Sequence, residues 1–189
     1  MTVSDTISLL DRKIDVCFSH GDQNGDGVLE GADALALAAR IVAYLGEPFG
    51  SDKAHALFKA FETFWEHASV QFDQDKDGKI TPLEWRDGLR KAFAESESGF
   101  ERGFKPLAEA LWAICDKNND GTVGPQEFAG FHKAFGTTPE NSRIAFDRLD
   151  SDGDGSLSVD ELLQAWKDFY TSSDPDAAGN WLFGDIWES

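Results

Sequence analysis

Residues 146–161 read FDRLDSDGDGSLSVDE, and the rest of the chain can be understood outward from them. Aspartates stand at 150, 152 and 154, a glycine follows at 155, and Glu161 closes a twelve-residue span that begins at Asp150. Acidic side chains at every second position, followed by a residue free to turn sharply, aim their oxygens at one centre. A Ca2+ ion takes about 6–8 such oxygens at about 2.3–2.6 Å, whereas thiolate or imidazole would suit softer metals. The expected donors are Asp150, Asp152, Asp154, the Ser156 carbonyl, Ser158 and Glu161. Ser158 and Glu161 also form a capping box, which places the last donor in the helix that leaves the loop. An acidic surface turn that binds nothing would need neither Gly155 nor Glu161.

The pattern recurs three more times. In DQNGDGVLEGAD, residues 22–33, the expected donors are Asp22, Asn24, Asp26, the Val28 carbonyl, Glu30 at the ninth position and Asp33 at the twelfth. Aspartate is one methylene shorter than glutamate. It reaches an ion with a single oxygen and moves the coordination number toward the six that Mg2+ prefers, so this loop is expected to accept either cation, with Glu30 compensating by direct coordination. DQDKDGKITPLE, residues 73–84, offers Asp73, Asp75, Asp77, the Lys79 carbonyl, Thr81 and Glu84. DKNNDGTVGPQE, residues 116–127, offers Asp116, Asn118, Asp120, the Thr122 carbonyl and Glu127, with Gly124 leaving the ninth place to a water molecule.

Amphipathic segments flank each loop. Ser4 is expected to cap a first helix bearing Ile7, Leu10, Ile14, Cys17 and Phe18 on one face. Gly46 and Pro48 stop the second helix, and Ser51 starts a third with Leu57, Phe61 and Phe72 inward. The repeat of helix, twelve-residue loop and helix is the EF-hand arrangement, which predicts an all-α fold of four units in two compact pairs. Those pairs are assigned to residues 1–95 and 96–189, with a packed connection around 94–105 that contains Phe100 and Phe104. The eighth loop position is apolar each time, Leu29, Ile80, Val123 and Leu157, and is expected to join paired loops by a short antiparallel contact. The tail from Ser172 carries Trp181, Leu182, Phe183, Ile186 and Trp187, and is expected to pack on the body, a partner-binding peptide being the alternative.

The 189 residues carry a net charge of -18, which repels nucleic acid and anionic membranes; four bound dications would cancel nearly half of it. Hydrophobic residues make up 41 %, yet no apolar run reaches the length of about 20 that a membrane helix requires. Charges interrupt MTVSDTISLLDRKIDV before a signal peptide can form, so a cytoplasmic monomer is expected. Cys17 and Cys115 read as buried, reduced thiols.

The segments CDKNNDGTVGPQEFAGF, LDSDGDGSLSVDELLQAWKDF and DPDAAGNWLFGD are similar to those of the sarcoplasmic calcium-binding proteins, and most of all to their bacterial calerythrin-type members. That resemblance implies a compact protein buffering calcium, or calcium and magnesium; the family usually has a degenerate loop, whereas here all four have their donors. A sensor would expose a pliable, methionine-rich groove, and this chain has Met1 alone. The broader family also includes coelenterazine-binding proteins and photoproteins. His20, His55, His67, His132, Tyr44 and Tyr170 supply such a site poorly, and no other constellation suggests an enzyme.

Overall fold

The computed structural model describes residues 8–184 apart from 96–103, together with Ile186. Among the described residues there are eight α-helices: α1 Leu9–Gly21, α2 Gly31–Leu45, α3 Asp52–Phe72, α4 Pro82–Glu95, α5 Lys105–Cys115, α6 Pro125–Ala134, α7 Pro139–Leu149 and α8 Val159–Thr171. Each loop lies between consecutive helices of a unit, so the expected all-α, four-unit architecture is the one observed.

The helix ends follow from local chemistry. Ser51 and Thr138 accept hydrogen bonds from Ala54 N and Asn141 N at the starts of α3 and α7. Gly46, at φ +66°, ends α2 in the left-handed conformation that costs a glycine little. The first helix departs from expectation. Its cap is Ser8, whose hydroxyl accepts from Asp11 N, and the helix begins at Leu9, while Ser4 and Ile7 lie outside the described residues. Ser8 followed three residues later by an acidic residue is itself a capping signal.

The loops pair as expected. Leu29 and Ile80 exchange both backbone hydrogen bonds, at 2.9 and 3.0 Å, and Val123 and Leu157 do the same at 2.9 Å each. All four residues are buried, which explains why that position is apolar in every loop. The pairs then share one hydrophobic core, α3 packing on α5 and α2 on α6. Lysine side chains cross between the pairs: Lys53 of α3 donates to the Asp116 carbonyl, and Lys117 donates to the Leu45 carbonyl at the end of α2. The expected connection around Phe100 lies outside the described residues, but Phe104 is buried against Phe64 and Tyr170.

The C-terminal segment returns to the body. Ala178–Trp181 forms a single 3-10 turn against α7 and α8, and Leu182, Phe183 and Ile186 are buried. Trp181 lies beneath the Arg148 guanidinium, 4.7 Å from its ring centre. Trp187 lies outside the described residues. No helix among the described residues is long and apolar enough to cross a membrane.

Candidate metal centres

The loops share one internal wiring. Glu84 receives the N–H groups of Gln74 and Thr81, each at 2.9 Å. Glu127 receives those of Lys117 and Gly124 at 2.8 Å, and Glu161 those of Ser151 and Ser158 at 2.9 Å. Asp33 makes the same connection to Gln23 and Glu30, at 3.2 and 2.9 Å, despite its shorter side chain. In each loop the twelfth residue thus clamps the second and ninth amides together, which draws the loop into a ring around its carboxylates. These second-position amides could not be foreseen, because a backbone N–H leaves no mark in side-chain spacing.

The first residue anchors the other end. Asp22, Asp73, Asp116 and Asp150 each accept from the amide of the glycine five residues on, at 2.9–3.0 Å. Fifth-position aspartates accept from the seventh amide: Asp26 from Val28, Asp77 from Lys79, Asp120 from Thr122 and Asp154 from Ser156. Third-position Asn24, Asp75, Asn118 and Asp152 accept from the fifth amide. Glycine is needed at the sixth place because φ there is +86° to +89° in all four loops.

The donor chemistry fits a hard cation. Carboxylate oxygens of Asp73, Asp75 and Glu84 lie within 4.8 Å of one another, as do those of Asp150, Asp152 and Asp154. Among the described residues the first and third loops, with asparagine at the third place, bring no such trio together. Two of the closing carboxylates are held toward the charged form. The Thr81 amide heads the contacts that hold the Glu84 carboxyl below its usual range. Desolvation opposes ionisation of Glu161, but the Ser158 and Ser151 amides and hydroxyls outweigh it and bring the carboxyl down to about 2.

Two of the expected donors of the first loop have surroundings of their own. Glu30 Oε1 lies 3.0 Å from the Lys79 ammonium of the neighbouring loop, a contact missed when the loops were taken singly. Asp33, in the first turn of α2, is buried, 3 % exposed. Next to it an apolar cavity of about 90 Å3 is lined by Leu29, Leu37, Phe61, Trp65, Trp85 and Phe183 among others. Pockets for organic ligands run to about 300–1,000 Å3, so this interior is that of a filled aromatic core rather than of a bulky ligand's chamber.

Helix, twelve-residue loop and helix, with a two-bond bridge between paired loops, defines the EF-hand class. The EF hand family pattern matches residues 70–89 and 143–165, which hold the second and fourth loops. Calerythrin of Saccharopolyspora erythraea is 31 % identical over 166 residues, covering 87 % of this chain and 94 % of its own. A calcium-binding protein of Streptomyces coelicolor, solved in a study of prokaryotic calcium-mediated regulation, is 29 % identical with a TM-score of 0.73, over 86 % of this chain and 98 % of that one. A sarcoplasmic calcium-binding protein from amphioxus shares the fold, with a TM-score of 0.75 at 20 % identity over 94 % of this chain and 97 % of its own. The chain belongs to the EF-hand proteins, in the sarcoplasmic calcium-binding family that includes calerythrin.

Proposed function

We propose that the protein is a cytoplasmic calcium buffer that binds Ca2+ in all four loops and admits Mg2+ in the first. The ligands are Asp22, Asn24, Asp26, Val28, Glu30 and Asp33; Asp73, Asp75, Asp77, Lys79, Thr81 and Glu84; Asp116, Asn118, Asp120, Thr122 and Glu127; and Asp150, Asp152, Asp154, Ser156, Ser158 and Glu161. Val28, Lys79, Thr122 and Ser156 contribute their carbonyls. The binding units are the two pairs, residues 1–95 and 96–189, in a monomer whose work is reversible cation capture without a catalysed reaction.

The observation that carries this reading is the clamp repeated four times, in which the twelfth carboxylate already holds the second and ninth amides. The clamp orients the loop carboxylates toward one centre, and a loop held in that geometry loses little of its binding energy to ordering. Likeness to calerythrin and to the Streptomyces calcium-binding protein supports calcium as the ion. A core filled with Phe and Trp rather than Met supports a buffer over a sensor.

Calorimetric titration of metal-free protein with Ca2+, with and without Mg2+, tests it while a hydrophobic dye is followed in parallel. Tight binding at all four loops with flat dye fluorescence is the expected result. Dye fluorescence that climbs as the sites fill would overturn the buffer in favour of a sensor.

A further inference from the structure

In the first pair, the two-bond bridge between Leu29 and Ile80 places the residues on either side of it opposite each other. Glu30 therefore faces Lys79, and their side chains meet at 3.0 Å. The bridge between Val123 and Leu157 has the same register, but there Gly124 faces Ser156 and carries no side chain to pair. The ion pair thus belongs to the first pair of loops alone.

Lys79 stands in two sites at once. Its carbonyl is the seventh-position oxygen of the second loop, while its ammonium holds the ninth-position carboxylate of the first. That carboxylate matters more in the first loop than it would elsewhere, because Asp33 is the shortened terminal residue there. A dication entering the first loop and the Lys79 ammonium compete for the same oxygens, and the two cations repel each other.

We propose that Lys79 is an affinity- and selectivity-setting residue of the first loop, a tethered cation that competes with the bound metal for the Glu30 carboxylate and keeps that site weaker and more tolerant of Mg2+. This rests on the four-site reading given above. With Lys79 removed, Glu30 gives both carboxylate oxygens to the first site, which with the five other donors takes the coordination number to about seven and favours Ca2+. Lys79 and Glu30 are 44 % and 36 % exposed in their side chains, so water screens the pair and the effect is modest, about two- to fivefold in affinity.

The test is a double-mutant cycle on the full chain, Lys79→Met, Glu30→Gln and both together, read by Ca2+ and Mg2+ calorimetry. Lys79→Gln repeats the measurement with a polar side chain, and helical circular dichroism checks the fold. Asp22→Ala identifies the first loop's binding step. Lys79→Met is expected to tighten that step for Ca2+ about two- to fivefold, with little gain for Mg2+. The gain should vanish in the Glu30→Gln background and shrink in about 0.5 M KCl, where exposed charges are screened. A first-loop step that Lys79→Met leaves unchanged or weakens overturns the proposal, and so does a gain that survives in Glu30→Gln, because the cause would then be net charge. If Asp22→Ala removes no step at all, the four-site reading itself falls, and this role of Lys79 with it.

Discussion

Lys13, on the first helix, donates a hydrogen bond to Asn180 Oδ1 in the C-terminal segment at 3.0 Å, across 167 residues of sequence. Its ammonium also donates to the carbonyls of Ser172 and Asp168, at 2.7 and 3.2 Å, and lies 5.6 Å from the centre of the Phe169 ring. Asn180 completes the arrangement by donating to the carbonyls of Asp174 and Pro175. A fully buried cation thus caps the C-terminal end of α8 and pins the tail that follows it. Lys13→Met would leave three oxygens without their donor, and is expected to lower the unfolding free energy by about 3 kcal/mol. Denaturant melts of the metal-free protein measure this; a variant as stable as the parent would show that the ammonium does not hold the tail.

Gly179 marks where the tail meets α8. A Cβ there would stand 2.4 Å from the Ala165 carbonyl oxygen and 2.6 Å from Asp168 Cβ, so the contact admits no side chain. Gly179→Val is expected to lift the segment and bring Leu182 and Phe183 out of the core, with a rise in hydrophobic-dye fluorescence. Unchanged fluorescence would mean that the tail is seated by other contacts.

His132 and His20 predict a pH dependence. Burial brings both down to about 4; the Leu182 carbonyl, 2.9 Å from His132 Nε2, opposes this at His132, and Arg40 adds to it at His20. In the unfolded chain each takes its proton near pH 6.5, so the folded state binds fewer protons between about 6.5 and 4. Stability is full above that window and falls as the pH drops through it, by about 3 kcal/mol per histidine. Melts of the metal-free protein should lose roughly half of this slope in His132→Gln, which can still hydrogen-bond Leu182. An unchanged slope would assign the acid sensitivity to the carboxylates.

Asp33→Glu tests the shortened loop. A longer side chain can present both oxygens to the ion, and is expected to raise Ca2+ affinity at the first site while reducing competition by Mg2+. Calorimetry in the presence of Mg2+ reads both effects. Retained Mg2+ competition would place the selectivity elsewhere in the loop, with Glu30 the next residue to vary.

The cysteines are free, Cys115 buried and Cys17 half-buried, a little more open than its place on an apolar face suggested. Desolvation lifts the Cys17 thiol to about 11 even though the Tyr170 hydroxyl, 2.9 Å away, favours the thiolate, and burial lifts Cys115 further still. Neither should react with a thiol reagent at pH 8 faster than the protein opens, and both should react at once in denaturant. Rapid modification of Cys17 in the folded protein would show an access route to α1.

The sequence by itself determined the loops, the caps Ser51 and Ser158, and the pairing through Leu29, Ile80, Val123 and Leu157. These depend on contacts within about a dozen residues, where spacing and geometry are nearly the same thing. It also placed Leu182 and Phe183 inside, since apolar area of that size demands burial. Only the tertiary structure decided that Lys13 reaches Asn180, that Lys53 donates to the Asp116 carbonyl, and that Asp33 closes its loop as the glutamates do. Lys79 against Glu30 falls between the two, for the bridge register implied it once the loops were paired, while the contact itself depends on how two long side chains lie. Each of these partners was chosen by the way the helices pack, and a lysine that will be buried against a distant carbonyl reads in sequence like one left in water.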